Sequence, residues 1–175
     1  MISETIVALM ISAIAIAPLP QPSVIDEVAQ TAQTYTIAQA NIVEEDLRTC
    51  AKLVWGEARG IKSDAEKAAV IWCVLNRLDS GRYGDSIYEV ITAPYQFTGY
   101  KASNPVTDEL YELAKDVLTR YELEKMGKEE VGRTLPKEYE FFVGYDGRNW
   151  FRKTYRDPDP RWDWSLPDPY EEKGE

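Results

Sequence analysis

The chain is organised around one short stretch, Val54-Trp55-Gly56-Glu57-Ala58-Arg59-Gly60. The stretch ends an apolar-periodic segment that predicts a helix, and it places the Glu57 carboxylate among indole and aliphatic carbons. Such neighbours solvate a charge poorly, so they raise the pKa of a carboxyl group. A carboxyl group that keeps its proton near neutral pH can serve as a general acid. The alternative is an ordinary solvated glutamate at a helix end.

Capping signals and apolar periodicity around this stretch predict four helices. A serine or asparagine followed three residues later by glutamate marks three of the starts, and an Asn-Pro pair marks the fourth. The predicted starts are Asn41, Ser63, Ser86 and Asn104, and the predicted ends are Gly60, Gly81, Pro94 and Gly127.

After Pro136 the pattern changes to strand. Residues 139–145 and 150–155 are rich in β-formers and flank Asp146-Gly147, a dipeptide that favours a tight hairpin turn. Helices followed by a hairpin predict an α+β fold with segregated elements.

Three regions are predicted along the chain. Residues 1–40 contain an apolar run followed by a segment rich in Gln, Thr, Ala and Pro, which is typical of an export segment and a linker. The export signal is atypical because Glu4, and no Lys or Arg, precedes the apolar run. A short apolar helix is the alternative. Residues 41–156 are predicted to form the folded domain, and residues 157–175 a proline-rich, acidic tail.

Composition excludes several chemistries. The formal net charge of -10 argues against a nucleic-acid partner. It also predicts no basic surface that would attract an anionic membrane. The chain has no histidine, which removes histidine-ligated zinc and the Ser-His and Cys-His catalytic pairs. Cys50 and Cys73 lie in separate predicted helices, where they form either a disulfide or two buried thiols. Neither has a clear cationic partner, so we expect both to be structural.

Residues 55–60 resemble the aromatic-Gly-Glu-Ala-Arg-Gly hallmark of the SleB-type cell-wall hydrolases, the family of spore-cortex-lytic enzymes. The resemblance extends roughly from Leu47 to Tyr155. It implies that Glu57 is the catalytic acid of a cell-wall hydrolase domain whose substrate is the glycan strand of peptidoglycan. It also implies a lysozyme-like or lytic-transglycosylase-like plan, with a helical lobe and a small C-terminal β-hairpin lobe around a cleft. No cofactor or metal is implied.

Further segments are similar to the same family. Asn76-Arg77 matches its Leu-Asn-Arg segment, so Asn76 either orients the cleft or satisfies backbone groups on a buried helix. A Gln-Phe-Ser loop of the family corresponds to Gln96, Phe97 and Thr98, with threonine in place of serine. This loop either binds N-acetyl and hydroxyl groups of the sugar or forms a turn held by local bonds. Ile61 departs from the family, which often carries a glutamate there.

Two aromatic residues flank the predicted hairpin turn. Tyr145 and Trp150 are candidates for stacking on sugar rings, and the alternative is that they pair with each other across the hairpin.

Glycoside cleavage usually uses two carboxylates, and no second one is evident in the sequence. Helix capping or solvation explains the acids nearest to the predicted helix ends, which are Asp64, Glu66, Asp79 and Asp85. One glutamate suffices in lytic transglycosylases, where the C6 hydroxyl of N-acetylmuramic acid is the nucleophile. We therefore expect glycan cleavage of the single-glutamate lytic transglycosylase type. Muramidase-type hydrolysis and a non-catalytic glycan-binding module of the cell envelope are the alternatives.

These expectations place the protein outside the cytoplasm. A secreted or cell-envelope location follows from the N-terminal apolar run, and a phage-encoded enzyme released at lysis is the alternative. The oligomeric state is left open by the sequence.

Overall fold

A computed structural model describes residues 23–156 and 166–171. Within these residues the chain forms helices followed by one antiparallel two-stranded sheet, which confirms the α+β class. The helices are α1 (Val24–Ala40), α2 (Glu44–Ala58), α3 (Asp64–Ser80), α4 (Ile87–Thr92) and α5 (Asp108–Lys125), and the strands are β1 (Phe141–Tyr145) and β2 (Arg148–Arg152).

Helix α3 is the centre of the core. Every residue from Ala65 to Arg77 is buried, because α2, α4 and α5 all pack against this helix. As predicted, the Ser63 hydroxyl caps its first turn by accepting a hydrogen bond from the Glu66 N–H at 3.2 Å. Gly81 ends it with a φ of 63°, a left-handed conformation that glycine adopts without strain. Trp72 is fully buried.

Residues 24–40, which the sequence assigned to the linker, form the helix α1. A capping box between Ser23 and Asp26 starts this helix, and a composition rich in Ala and Gln is compatible with helix. α1 lies along α5, so the helix is supported by tertiary packing. Asn41, predicted to start α2, instead caps the end of α1. Val43 precedes α2 and makes no side-chain cap. The boundary between residues 40 and 41 remains a prediction.

The start of α5 also differs from the prediction. Thr107, and not Asn104, is the N-cap, and its hydroxyl accepts a hydrogen bond from the Leu110 N–H. The side chain of Asn104 is used elsewhere, because its Nδ2 donates to the carbonyl oxygens of Lys52 and Gly99 at 3.0 and 2.9 Å. This asparagine therefore ties the loop before α5 to α2.

The hairpin prediction is confirmed, although the strands are shorter at the ends away from the turn. β1 pairs antiparallel with β2 in a register that places Tyr145 opposite Arg148. Asp146 and Gly147 both have positive φ, 54° and 72°, as a type I′ turn requires. Phe151 anchors the hairpin in the core, where it is fully buried.

Two predictions concern residues beyond this core. None of the helices in the described part of the chain is both long and apolar enough to span a membrane. The predicted export run, residues 5–17, lies outside the described residues. Of the predicted tail, Tyr170 packs on α5 and its hydroxyl donates to Asp116 at 2.8 Å.

The cysteines are two buried free thiols, so the disulfide alternative is wrong for this structure. Burial raises the pKa of the Cys73 thiol to about 12, and it raises that of Cys50 as well. Both side chains therefore remain protonated and apolar in character at neutral pH.

Candidate active site

Glu57 lies in the last turn of α2, half-buried at the surface of the helical core. Its Oε1 accepts a hydrogen bond from the Gly99 N–H at 2.7 Å. Burial raises the pKa of Glu57, and the Gly99 hydrogen bond offsets part of that rise. The net direction is upward, as the sequence predicted. The carboxyl group is thus biased towards the protonated form that a general acid needs.

A close approach of two backbones explains the glycine beside Glu57. A Cβ added at Gly56 would lie 2.0 Å from the carbonyl oxygen of Gly99, and one at Gly99 would lie 2.5 Å from the carbonyl oxygen of Gly56. Any side chain at either position would push the loop away from α2. The glycine pair therefore allows the Gly99 N–H to reach the Glu57 carboxylate.

The pocket that contains Glu57 has the hairpin turn as its opposite wall. Its volume is about 290 Å³, and it is lined by residues 57–58 and 60–61 on one side and by residues 144–149 on the other. Tyr145 is 73% exposed and belongs to this wall, so the structure brings it together with Glu57. The lining also includes Asp146, which the sequence indicated only as a turn residue. Asp146 is therefore a carboxylate in the same pocket as Glu57.

Glu66 has a role that its sequence position did not reveal. Its side chain is 2% exposed, and its Oε1 accepts a hydrogen bond from the Asn149 N–H at 2.6 Å. Arg148 Nε lies 4.0 Å from its other oxygen. The predicted capping explanation was thus incomplete, because this carboxylate joins α3 to the hairpin that forms the pocket wall. Its place on an otherwise buried helix is the sequence signal that could have indicated this.

The three residues of the predicted Gln96-Phe97-Thr98 loop lie in different environments, two exposed and one buried. Gln96 is exposed and its Oε1 accepts a hydrogen bond from Arg77 Nη1 at 2.8 Å, beside a second cavity of about 740 Å³. Phe97 is 5% exposed and packs on Phe142 with a centroid separation of 6.0 Å, so its ring belongs to the core and does not face the Glu57 pocket. Thr98 is exposed next to Gly99. The predicted role of this loop in substrate binding remains a prediction, and Gln96 and Thr98 are its exposed members.

Asn76 does not reach either cavity. It is 3% exposed, its Nδ2 donates to the carbonyl oxygens of Pro136 and Tyr139 at 2.8 and 2.7 Å, and its Oδ1 accepts from Arg133. Of the two alternatives, satisfaction of backbone groups is the one observed. All of its polar atoms hold the segment that leads into β1, and a role of Asn76 in substrate binding remains a prediction.

Trp150 lies in β2 and is partly buried. Its Nε1 donates to the carbonyl oxygen of Tyr145 at 3.1 Å, which links the two strands near the turn. It does not line the Glu57 pocket, whereas Tyr145 does. The two predicted stacking residues are therefore not equivalent, and Tyr145 is the better placed.

Metal-ligating side chains are not clustered in the residues described, where no group of three or more Cys, Asp and Glu is arranged to hold an ion. The chemistry available at the pocket is thus that of Glu57, Asp146, the Tyr145 ring and exposed backbone groups.

Comparison with known proteins gives one family match, which covers part of the chain. Residues 62–132 match the model of a family described as Cell Wall Hydrolase. The match supports an enzyme that acts on the cell wall, with peptidoglycan as its substrate. It begins after Glu57, so it does not include the stretch that resembles the SleB-type enzymes. No curated protein and no solved structure matches the chain.

Proposed function

We propose that this protein is a SleB-type enzyme that cleaves the glycan strands of peptidoglycan, with Glu57 as its single acid and base. The observation that carries the proposal is the half-buried Glu57 carboxyl group, with a raised pKa, in a pocket between α2 and the hairpin. The family match at residues 62–132 supports the substrate class. Such a substrate requires delivery to the cell envelope, by export or by release at lysis.

The geometry fits the two proton transfers that the reaction needs. Gly99 fixes one oxygen of Glu57, while the second has no hydrogen-bond partner among the residues that the structure describes. Protonated Glu57 donates to the glycosidic oxygen as the bond from C1 to that oxygen breaks. The resulting carboxylate then takes the proton of the C6 hydroxyl as C1 bonds to O6. The product is a 1,6-anhydro sugar, and no water is consumed.

This route is favoured because its nucleophile belongs to the substrate. The C6 hydroxyl is already held in the same sugar ring, so the attack has little translational entropy to lose. The oxocarbenium-like transition state is stabilised by fixed dipoles of the pocket or by the substrate's N-acetyl group. Glu57 suffices as the only ionisable catalyst.

One observation favours a second candidate, muramidase-type hydrolysis. Asp146 lines the same pocket from the opposite wall, where a carboxylate could activate water or stabilise the positive charge at C1. Reaction in isotopically labelled water distinguishes the two. Hydrolysis places the label in a new reducing end. If Asp146 is the second carboxylate, the Asp146→Asn variant forms no such labelled product. Transglycosylation incorporates no label and tolerates the same substitution.

The proposal is tested by release of soluble fragments from purified peptidoglycan by the full chain. We expect Glu57→Gln to reduce the rate by about 10²-fold or more, since it removes the proposed proton donor. The matched control is Glu45→Gln, an exposed glutamate on the same helix, which should keep the wild-type rate. Equal rates for both variants would refute the role of Glu57. Binding to peptidoglycan without release by the wild-type chain would favour the non-catalytic module.

A further inference from the structure

A second cavity lies beside the other end of β1, and its charge is opposite to that of the chain. It has a volume of about 740 Å³ and is lined by Arg77, Arg152 and Arg156 together with aromatic residues and Gln96. No carboxylate lines it within the described part of the chain. We call it the arginine cavity. In a protein with a net charge of -10, a concave site lined by three guanidinium groups is selective for anions.

Arg77 is a fixed, buried cation at the base of this cavity. It is 4% exposed, and its Nε and Nη1 donate to the Glu140 carbonyl oxygen at 2.5 Å and to Gln96 Oε1 at 2.8 Å. Its guanidinium group lies over the ring of Phe97, with 4.7 Å to the centroid. These partners are neutral, and no carboxylate of the described residues forms an ion pair with Arg77. Its positive charge is therefore oriented but not neutralised.

The two other arginines are also without an acidic partner in the described residues. Arg152 Nη1 donates to the carbonyl oxygen of Tyr155 at 3.3 Å, while its Nε is buried and has no hydrogen-bond partner. Arg156 is exposed and forms no ion pair there. The nearby Glu140 carboxylate is already used, since both of its oxygens accept from Arg82 at 2.6 Å. The cavity thus keeps donors that suit an incoming carboxylate.

Aromatic side chains at the rim of the arginine cavity add apolar surface beside its guanidinium groups. Tyr95 is 96% exposed and Tyr155 is 74% exposed, and both line the cavity with Phe141 and Phe142. Aromatic rings beside guanidinium groups favour a ligand that carries a carboxylate on an apolar or peptide framework over a small inorganic anion.

The position of the cavity relative to Glu57 fits one such ligand. Residues 141–143 line the arginine cavity and residues 144–145 line the Glu57 pocket, so both sites share β1. At about 3.3 Å per strand residue, the midpoints of these two segments of β1 are separated by roughly 8 Å along the strand. A peptide of about three residues spans that distance when extended. The stem peptide of peptidoglycan starts on the muramic acid residue and carries free carboxylates within this reach.

We propose that the arginine cavity binds a carboxylate of the peptidoglycan stem peptide while the glycan strand occupies the Glu57 pocket. The proposal rests on the proposed function for its substrate class, but the binding step does not require cleavage. It identifies the substrate as a peptide-bearing strand and assigns recognition of the peptide to Arg152 and Arg156, with Arg77 supplying a fixed charge beneath them.

The test is an NMR titration of the full-length wild-type chain with the free stem tetrapeptide and with the same peptide after amidation of its carboxyl groups. We expect the free peptide to shift side-chain signals of the lining arginines, and the amidated peptide to bind at least tenfold more weakly. Arg156→Gln should weaken binding of the free peptide by a similar factor. The control is Arg48→Gln, which removes the same charge from α2 outside the cavity and should leave binding unchanged.

Thermal unfolding separates a loss of binding from a folding defect. Arg156 is exposed, so Arg156→Gln should not alter thermal unfolding. Arg152 is partly buried, so the unfolding of Arg152→Gln is measured as well, and Arg152→Lys is the control that keeps the charge. Equal binding of the free and amidated peptides, or equal binding by wild type and Arg156→Gln, would overturn the inference. Arginine-dependent binding in a chain that cuts no glycan would support this inference while the proposed function fails. Cleavage of glycan strands without peptide binding would overturn this inference and support the proposed function.

Discussion

Gly56→Ala is the substitution whose effect follows most directly from the geometry of the site. The new Cβ would lie 2.0 Å from the carbonyl oxygen of Gly99 and 2.9 Å from Asn104 Nδ2. Cβ atoms essentially never come closer than 3.0 Å to another heavy atom, so the loop must retreat from α2 by about 1 Å. The hydrogen bond from the Gly99 N–H to Glu57, now 2.7 Å, would then exceed hydrogen-bonding distance.

The expected loss of stability of Gly56→Ala has two parts. Overpacking costs about 1–3 kcal/mol, and weakening of the bonds that Gly99 makes to Glu57 and Asn104 adds about 1 kcal/mol each. We therefore expect the free energy of unfolding to fall by about 3–5 kcal/mol, which lowers the Tm by roughly 10–15 °C in a domain of this size. Activity should fall by about 10²-fold at temperatures where the variant is folded, because the acid loses its fixed position.

Gly60→Ala provides the matched control. A Cβ at Gly60 has no heavy atom within 4 Å, so this variant should unfold within about 0.5 kcal/mol of the wild type. Because Gly60 lines the Glu57 pocket, Gly60→Ala serves as a control for stability, and the wild type is the reference for the rate of fragment release. Denaturant unfolding and the fragment-release assay measure both quantities. If Gly56→Ala matched Gly60→Ala in stability and the wild type in rate, the close contact between α2 and the loop would not be what positions Glu57.

Four further outcomes are expected. Burial raises the pKa of Glu57 above its ordinary value of 4.5, so folding favours the protonated form and that stabilisation is lost as pH rises through the raised pKa. Thermal unfolding should thus show Glu57→Gln gaining stability over wild type towards about pH 8, and no gain near about pH 4; a constant difference would contradict a raised pKa. Glu66→Ala should lower the free energy of unfolding by about 2–3 kcal/mol, measured with denaturant, because it leaves a buried N–H of the hairpin without an acceptor; a neutral result would mean that this bond is dispensable. Cys50 and Cys73 should resist a thiol reagent in the native chain and both react after denaturation, since burial keeps them protonated; rapid native labelling would show that the core opens. Tyr145→Ala should leave the Tm unchanged but raise KM for glycan strands, since its exposed ring faces the pocket; an unchanged KM would exclude stacking by this residue.

Features set by local chemistry could be predicted from the sequence. The Ser63 and Ser86 caps, the Asp146-Gly147 turn and the buried face of α3 depend on neighbouring residues, and all of them are present. Asn41 and Asn104 misled the prediction because asparagine suits several backbone environments, and tertiary contacts decided which one each adopts. α1 was missed because its support comes from α5, which is distant in sequence.

The candidate site was predictable only in part. The stretch around Glu57 indicated the acid and the direction of its pKa shift, because both follow from residues adjacent in sequence. The contributions of Gly99, Glu66 and Asp146 depend on contacts between segments that are more than forty residues apart or on opposite walls of a pocket. No local pattern encodes such contacts.

The central claim is most directly tested by mass spectrometry of the muropeptides that the full chain and Glu57→Gln release from purified peptidoglycan. The account predicts 1,6-anhydro muropeptides from the wild type and none from the variant. Anhydro products released at equal rates by both proteins would contradict the assignment of Glu57 as the acid, whatever the fate of the remaining proposals.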